Sequence, residues 1–206
     1  MDKNQIRQLI NTQNPIIFEI GAADGTDTLE FINTFNDLDF KLYCFEPDLR
    51  NIQAFKSKVN DSRVLLHEMA IGDMVGKANF HQSNDIYNLS SSLKKPNMEN
   101  MKATWPLMDF DKTYEVNVNT LDNFLLENNI EKIDFIWADV QGAEDLMIKG
   151  GKNALINKVR YMYTEYSNVE YYENELNLEE IIHHMGENWE VVQVFTADVL
   201  LKNKNL

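Results

Sequence analysis

The sequence has a single cysteine, Cys44, in 206 residues, so no internal disulfide and no cysteine zinc cluster can form. Glycine (8) and proline (4) are scarce, while 44% of the chain is hydrophobic and 25% charged. That balance excludes collagen-like and disordered classes and fits an ordinary globular chain. Positive charge is also in short supply: 19 Lys and Arg stand against 33 Asp and Glu, a net of −14. Nucleic-acid affinity comes from cations facing phosphates, and anionic membrane surfaces recruit polybasic segments, so neither partner is expected. A small molecule, a glycan or a protein fits better, and a homo-oligomer is compatible with the sequence. No apolar run reaches the roughly 18 residues of a membrane span. The opening segment MDKNQIRQLINTQNP lacks the apolar stretch of a secretory leader. With its lone thiol suited to a reducing compartment, the chain reads as cytoplasmic.

What is present is an alternation of short apolar runs and helical periods. Residues 16–20 (IIFEI) form a buried-type strand, and Leu29, Phe31, Ile32 and Phe35 then mark a helical face. A second strand at 41–45 precedes a helix carrying Leu49, Ile52, Phe55 and Val59, and a third strand runs over 64–70. The rhythm breaks over 74–118, where Ser90-Ser91-Ser92, Pro96 and Pro106 fall. We read that stretch as an elaboration, partly loop, with short strands at 78–82 and 114–118. Thr120 then caps a helix through Leu121, Phe124 and Leu125. A strand at 133–138 leads to a helix starting near Gly142, and Gly150-Gly151 marks a break. A strand at 159–165 and a stripe of Leu178, Ile181, Ile182 and Met185, stopped by Gly186, complete the alternation. Residues 189–195 and 198–201 sit two residues apart, as in an antiparallel pair. The pattern predicts one α/β domain over 1–206: a mostly parallel seven-stranded sheet with an antiparallel edge hairpin at the C-terminus. Ligands of such sheets lie beyond the carboxyl ends of the strands.

The first strand ends Glu19-Ile20-Gly21-Ala22-Ala23-Asp24-Gly25. Ala23 stands where a dinucleotide fingerprint has its middle glycine, and Glu19 and Asp24 place negative charge beside the turn. That arrangement repels pyrophosphate and suits a ligand with an ammonium or a sulfonium; S-adenosylmethionine carries both. Glu46, which ends the second strand about 20 residues on, is placed to accept from ribose hydroxyls. Met69, Ala70 and Ile71, at the end of the third strand, are candidates for covering an adenine. Asp139 follows a buried strand expected beside the first one. It would point toward a transferable methyl group, where a carboxylate can take the proton of an attacking hydroxyl.

The segment IDFIWADVQGAE at 133–144 resembles the hallmark of the FkbM family of methyltransferases, approximately I-D-x-I-K-x-D-V-E-G-A-E, with Trp137 in place of Lys and Gln141 in place of the first Glu. Residues 19–25 and Phe45-Glu46-Pro47 are similar to the family's first two cofactor motifs. Asn119-Thr120-Leu121-Asp122 is similar to its V-x-T-L-D, and Leu89-Ser90-Ser91-Ser92-Leu93 to a Ser-Ser-Leu element. The resemblance spans 16 to about 168. It implies a Rossmann-like class I fold and methyl transfer to a hydroxyl, often of a sugar or a natural product. On this reading Glu19, Gly21, Ala22, Asp24 and Gly25 hold the methionine end, Glu46 the ribose, and Met69, Ala70 and Ile71 the adenine. Asp139 is the catalytic residue, while Ser91, Ser92, Glu165 and Tyr166 serve the acceptor. Asp139 and Glu165 are also the pair that could hold a divalent cation. Glu144 reads as a first-turn acid, Tyr161 and Tyr163 as packing, and Tyr171 and Tyr172 as further acceptor-pocket candidates. His81 is a distant second base, and His183 and His184 are structural. Two alternatives stay open: an NAD-type oxidoreductase on the same fold, and a non-catalytic protein that keeps the cofactor cradle.

Overall fold

A computed structural model describes residues 1–206. In chain order the elements are α1 (Lys3–Ile10), β1 (Ile16–Ile20), α2 (Thr26–Thr34), β2 (Lys41–Phe45), α3 (Leu49–Lys58), β3 (Val64–His67), β4 (Ala70–Ile71) and β5 (Gly76–Gln82). They continue with α4 (Met98–Thr104), β6 (Lys112–Asn119), α5 (Leu121–Glu127), β7 (Ile133–Ala138), α6 (Glu144–Gly150), α7 (Lys152–Asn157), β8 (Val159–Glu165), α8 (Leu178–Met185), β9 (Trp189–Val194) and β10 (Asp198–Asn203). Seven strands make the main sheet in the order β3-β2-β1-β7-β8-β10-β9. β1, β2, β3, β7 and β8 are parallel, and β10 and β9 close the edge antiparallel, as the alternation predicts.

The parallel strands are buried on both faces, which is why they read as continuous apolar runs rather than alternating ones. One face packs Phe18, Ile20, Phe45, Ile133 and Ile136 with α5 to α8. The other packs Ile17, Leu42, Cys44, Phe135 and Tyr163 with α1 to α3. α1 lies within the segment weighed above only as a leader. Asp2 and Gln5 form its capping box, and its buried Ile6 and Ile10 dock it.

Two further differences concern the middle of the chain. The strand expected over 64–70 is split. The chain leaves the main sheet after His67, and Ala70-Ile71 pairs instead with Val118-Asn119. The elaboration contains two long strands, with β5 paired antiparallel to β6 from Gly76↔Val118 to Gln82↔Lys112. Together β4, β6 and β5 make a small second sheet, joined through α4. Strand order reverses between β1 and β7, so a crevice opens at their carboxyl ends.

Candidate active site

Two turns form the floor of that crevice. Gly21 follows β1 with φ +88°, and a Cβ on it would lie 1.8 Å from the Asp139 carbonyl oxygen. Only glycine lets the two turns approach so closely. The Asp139 N–H donates to the Ile20 carbonyl (2.9 Å), and the Gly21 and Ala22 N–H groups donate to the Phe45 carbonyl. The cleft above is lined by the 20–24 turn, Thr26 and Asp27 of α2, Phe45 to Pro47, Asn51 of α3, Ala70, Ile71, Phe80, Leu89, Ser91, Leu93, and the turn from Asp139 to Gln141 with Ala143.

Glu46 lines this cleft and also builds it. Its Oε2 accepts from Ala23 N–H (2.8 Å) and its Oε1 from Asp48 N–H (2.7 Å). Burial pushes the carboxyl up to about 7, against the pull of those two donors. Each oxygen keeps a second lone pair for a ligand. Asp24 also faces the cleft, but its Oδ1 accepts from Thr26 N–H (3.1 Å) and Thr26 Oγ1 (2.7 Å), and Lys58 pairs with its other oxygen. Asp27 and Asn51 are lining residues that the motifs did not reveal. Asp27 pairs at 2.8 Å with Lys3, whose buried ammonium lies over the Trp137 ring at 3.1 Å. Trp137, the first departure from the hallmark, therefore faces α1 and stacks on Tyr163 rather than entering the cleft.

Asp139 opens into the cleft, and Glu165 lies behind it across the Gln141 amide. Gln141, the second departure, bridges the pair: its Nε2 donates to Asp139 Oδ1 (2.6 Å) and to Glu165 Oε2 (3.3 Å). Burial raises both carboxyls, Glu165 further still because it faces the Asp139 charge. Two carboxyls this close share one proton. The Gln141 amide favours the charge on Asp139, and a charge there favours the proton on Glu165.

Several expected site residues lie elsewhere. Glu19 is 1% exposed and sits below the floor, accepting from Thr28 Oγ1 (2.5 Å) and Cys44 Sγ (3.3 Å). As an interior residue of β1 it faces the α2 side of the sheet, and burial pushes it up to about 8. Gly25 does not line the cleft; a Cβ there would meet Val59 and Phe55. Met69 packs on the main core, because the chain turns between β3 and β4. Ser92 is buried, donating to the Gln141 carbonyl (2.7 Å), whereas Ser91 lines the cleft and donates to Asp48 (3.0 Å). Tyr166 turns its hydroxyl to the Phe195 carbonyl (2.9 Å) and borders a separate hollow. Tyr172 is buried against Gly142, with its hydroxyl on Ser90 O (2.7 Å) and Gln141 Oε1 (3.1 Å), while Tyr171 packs on Trp105. Glu144 is not a solvated first-turn acid: it is 2% exposed, and burial pushes it up to about 8. His81 bonds Thr113 (3.2 Å) away from the cleft, and His183 and His184 are exposed on α8.

A family model described as the methyltransferase FkbM domain matches residues 19–190. The chain is 37% identical over 212 residues to the 2-O-methyltransferase NoeI of Sinorhizobium fredii, covering 98% of this chain and 85% of that protein. The chain belongs to the FkbM methyltransferase family. The FkbM methyltransferase structure from Methylobacillus flagellatus superimposes with a TM-score of 0.57 at 14% identity, over 92% of this chain and 44% of that longer one. Fibrillarin from Aeropyrum pernix, solved with natively bound S-adenosyl-L-methionine, gives 0.51 at 13% identity, over 94% and 68% of the two chains. These two likenesses establish a class I methyltransferase fold. Family membership makes the protein an S-adenosylmethionine-dependent methyltransferase and removes the oxidoreductase alternative.

The lining residues fit that cofactor. Asp24, Asp27, Glu46 and Asp139 are its only ionisable side chains. Such a set of anionic acceptors suits an ammonium, a sulfonium and ribose hydroxyls and would repel a pyrophosphate.

Proposed function

We propose that the protein transfers a methyl group to a hydroxyl of a sugar, glycan or small natural product, with Asp139 as general base. One observation carries this reading: the Asp139 carboxyl at the β1–β7 switch point faces the cleft and accepts from the Gln141 amide, which also reaches Glu165. The 2-O-methyltransferase named above supports an oxygen acceptor. Asp24 and Asp27 face the methionine end, Glu46 and Asn51 the ribose, and Ala70, Ile71 and Phe80 the adenine. Bound S-adenosylmethionine supplies an electrophilic methyl group. Asp139 orients the acceptor hydroxyl and takes its proton as the oxygen attacks, a role worth about 10²–10⁴-fold.

Asp139 works in this reading as a bare carboxylate. Gln141 places an N–H, not a further acceptor, between it and Glu165, and no group of three or more His, Cys, Asp or Glu is arranged to hold a metal ion. The strongly acidic charge supports a small-molecule or glycan acceptor over a nucleic acid. The reading also keeps one catalytic domain over 1–206, in a cytoplasmic setting that the lone buried thiol of Cys44 supports.

Asp139→Asn tests the mechanism. Asn keeps the shape and still accepts from Gln141, so stability and cofactor affinity should change little. Turnover should fall by about 10² or more, and a chelator should leave the unmodified enzyme active. Near-normal turnover in the variant would remove Asp139 as the base. Loss of activity with chelator, restored by Mg²⁺, would replace the bare carboxylate with a metal.

A further inference from the structure

Asp139 is braced from outside the cleft. Gln141 adopts the left-handed region, with φ +52°, a strained backbone for a non-glycine residue that persists only where its surroundings fix it. Three groups fix it here. Its Nε2 donates to Asp139 Oδ1 (2.6 Å), its carbonyl accepts from Ser92 Oγ (2.7 Å), and its Oε1 accepts from the Tyr172 hydroxyl (3.1 Å). Tyr172 shares that proton with the Ser90 carbonyl (2.7 Å). Its ring abuts Gly142, where a Cβ would lie 2.7 Å from Tyr172 Cδ2. Burial pushes the phenol well above its ordinary range, so the hydroxyl stays a donor.

Tyr172 is itself anchored. It is 4% exposed, clusters with Met101 and Met108, and its backbone bridges to Pro96. The Phe110 ring meets it edge-on at 6.2 Å. All four neighbours belong to the elaboration over 74–118, and Tyr172 does not line the cleft. Resting on the reading of Asp139 as general base, we propose that Tyr172 is a positioning residue: it fixes the Gln141 side chain, which holds one oxygen of Asp139 and leaves the other for the acceptor hydroxyl. Hydrogen bonds in a chain polarise one another, so the proton given to the amide oxygen also strengthens the N–H that faces Asp139. A base must sit within hydrogen-bond reach of the proton it takes, and a small displacement costs rate even where the cofactor binds normally. One role of the elaboration is thus to brace the catalytic turn.

Tyr172→Phe keeps the ring on Gly142 and removes only the hydroxyl. Two measurements on it test the proposal, and the first needs no acceptor. In the complex with S-adenosylhomocysteine, the side-chain amide resonance of Gln141 is identified by its absence from Gln141→Met. Its exchange with water should be about tenfold faster in Tyr172→Phe, while the affinity for S-adenosylhomocysteine stays at the parent value. The second is turnover at saturating S-adenosylmethionine, with the methyl glycosides of glucose, galactose, mannose and fucose as acceptors. Loss of one ordinary hydrogen bond should lower kcat about threefold to tenfold. In a Gln141→Met background the link is already cut, so Tyr172→Phe should lower kcat no further. Amide exchange as in the parent, or an undiminished kcat, would overturn the proposal. So would an equal fall in kcat with and without the Gln141 amide, or a parallel loss of cofactor affinity, since either makes Tyr172 a packing residue. Near-normal turnover in Asp139→Asn would instead remove the base reading, and the proposal with it.

Discussion

Glu46 shows how one side chain can build a site and serve it. Both of its oxygens accept a backbone N–H, from Ala23 and Asp48, so the carboxylate fixes the first turn while presenting its remaining lone pairs to the cleft. Glu46→Gln keeps the size but sets an amide NH₂ against one of those N–H donors. Hydrogen bonds to a charged group are worth about 1.5–3 kcal/mol, so calorimetry should show cofactor affinity down by about tenfold to a hundredfold. The sign of the pH effect follows from the same burial. Ribose hydroxyls donate to the carboxylate, and burial holds that carboxyl near 7, so affinity should rise as pH increases through 7 and then level off. Unchanged affinity in the variant, or a pH profile of the opposite sign, would take Glu46 out of the cofactor site.

At the level of elements, the sheet was largely legible because strands buried on both faces announce themselves as apolar runs; β1, β2, β7 and β8 lie where the sequence puts them. The face on which a side chain ends was less legible. Glu19 and Trp137 are register partners inside their strands, and both turn toward α1 and α2, away from the cleft at the strand ends. The polar groups of β1, β2 and β7 that reach it come from the positions just past the strand ends, Gly21, Glu46 and Asp139. Asp27 and Asn51 enter from the first turns of helices and carry no local signal. α1 did carry one, the Asp2–Gln5 capping box followed by Ile6 and Ile10. The contact between the β1 and β7 turns gives the sharpest test at this scale. Gly21→Ala would drive a Cβ into the Asp139 carbonyl and strain a positive φ, so it should cost about 3 kcal/mol or more and abolish cofactor binding. Gly186→Ala has a positive φ too, but nothing within 4 Å of the added Cβ. It should cost about 1–3 kcal/mol and leave affinity intact. Denaturant unfolding paired with cofactor titration separates the two, and a Gly21→Ala protein that still binds would refute the close approach.

For the whole molecule, the buried acids set the direction of its pH dependence. Glu19, Glu46 and Glu144 are 1%, 5% and 2% exposed, and burial pushes them to about 8, 7 and 8 from a usual 4.5. Between pH 4.5 and 8 the native state therefore binds protons that the unfolded chain has released, and stability falls as pH rises through that window. Asp24 and Asp48 act with the opposite sign. Burial opposes their charge, but hydrogen bonds, from Lys58 and Thr26 to Asp24 and above all from Arg50 to Asp48, hold both below the usual carboxylate range. Their contribution is present above about 3.8 and is lost only as pH falls through their lowered values. The cofactor-free protein should be most stable near pH 5–6 and lose about 5 °C or more in Tm by pH 8. Glu19→Gln isolates one part of that slope. The amide can accept from Thr28 as the protonated acid does, without the cost of ionising below the cleft floor. Its Tm relative to the parent should rise steadily from pH 5.5 to 8. A parent curve that is flat or climbs toward pH 8, or a Glu19→Gln difference that does not change with pH, would mean these carboxyls are ionised in the folded protein. A charged Glu19 would then need a cationic partner, and the Lys3 ammonium, now paired with Asp27 above the Trp137 ring, is the group that would have to turn toward it.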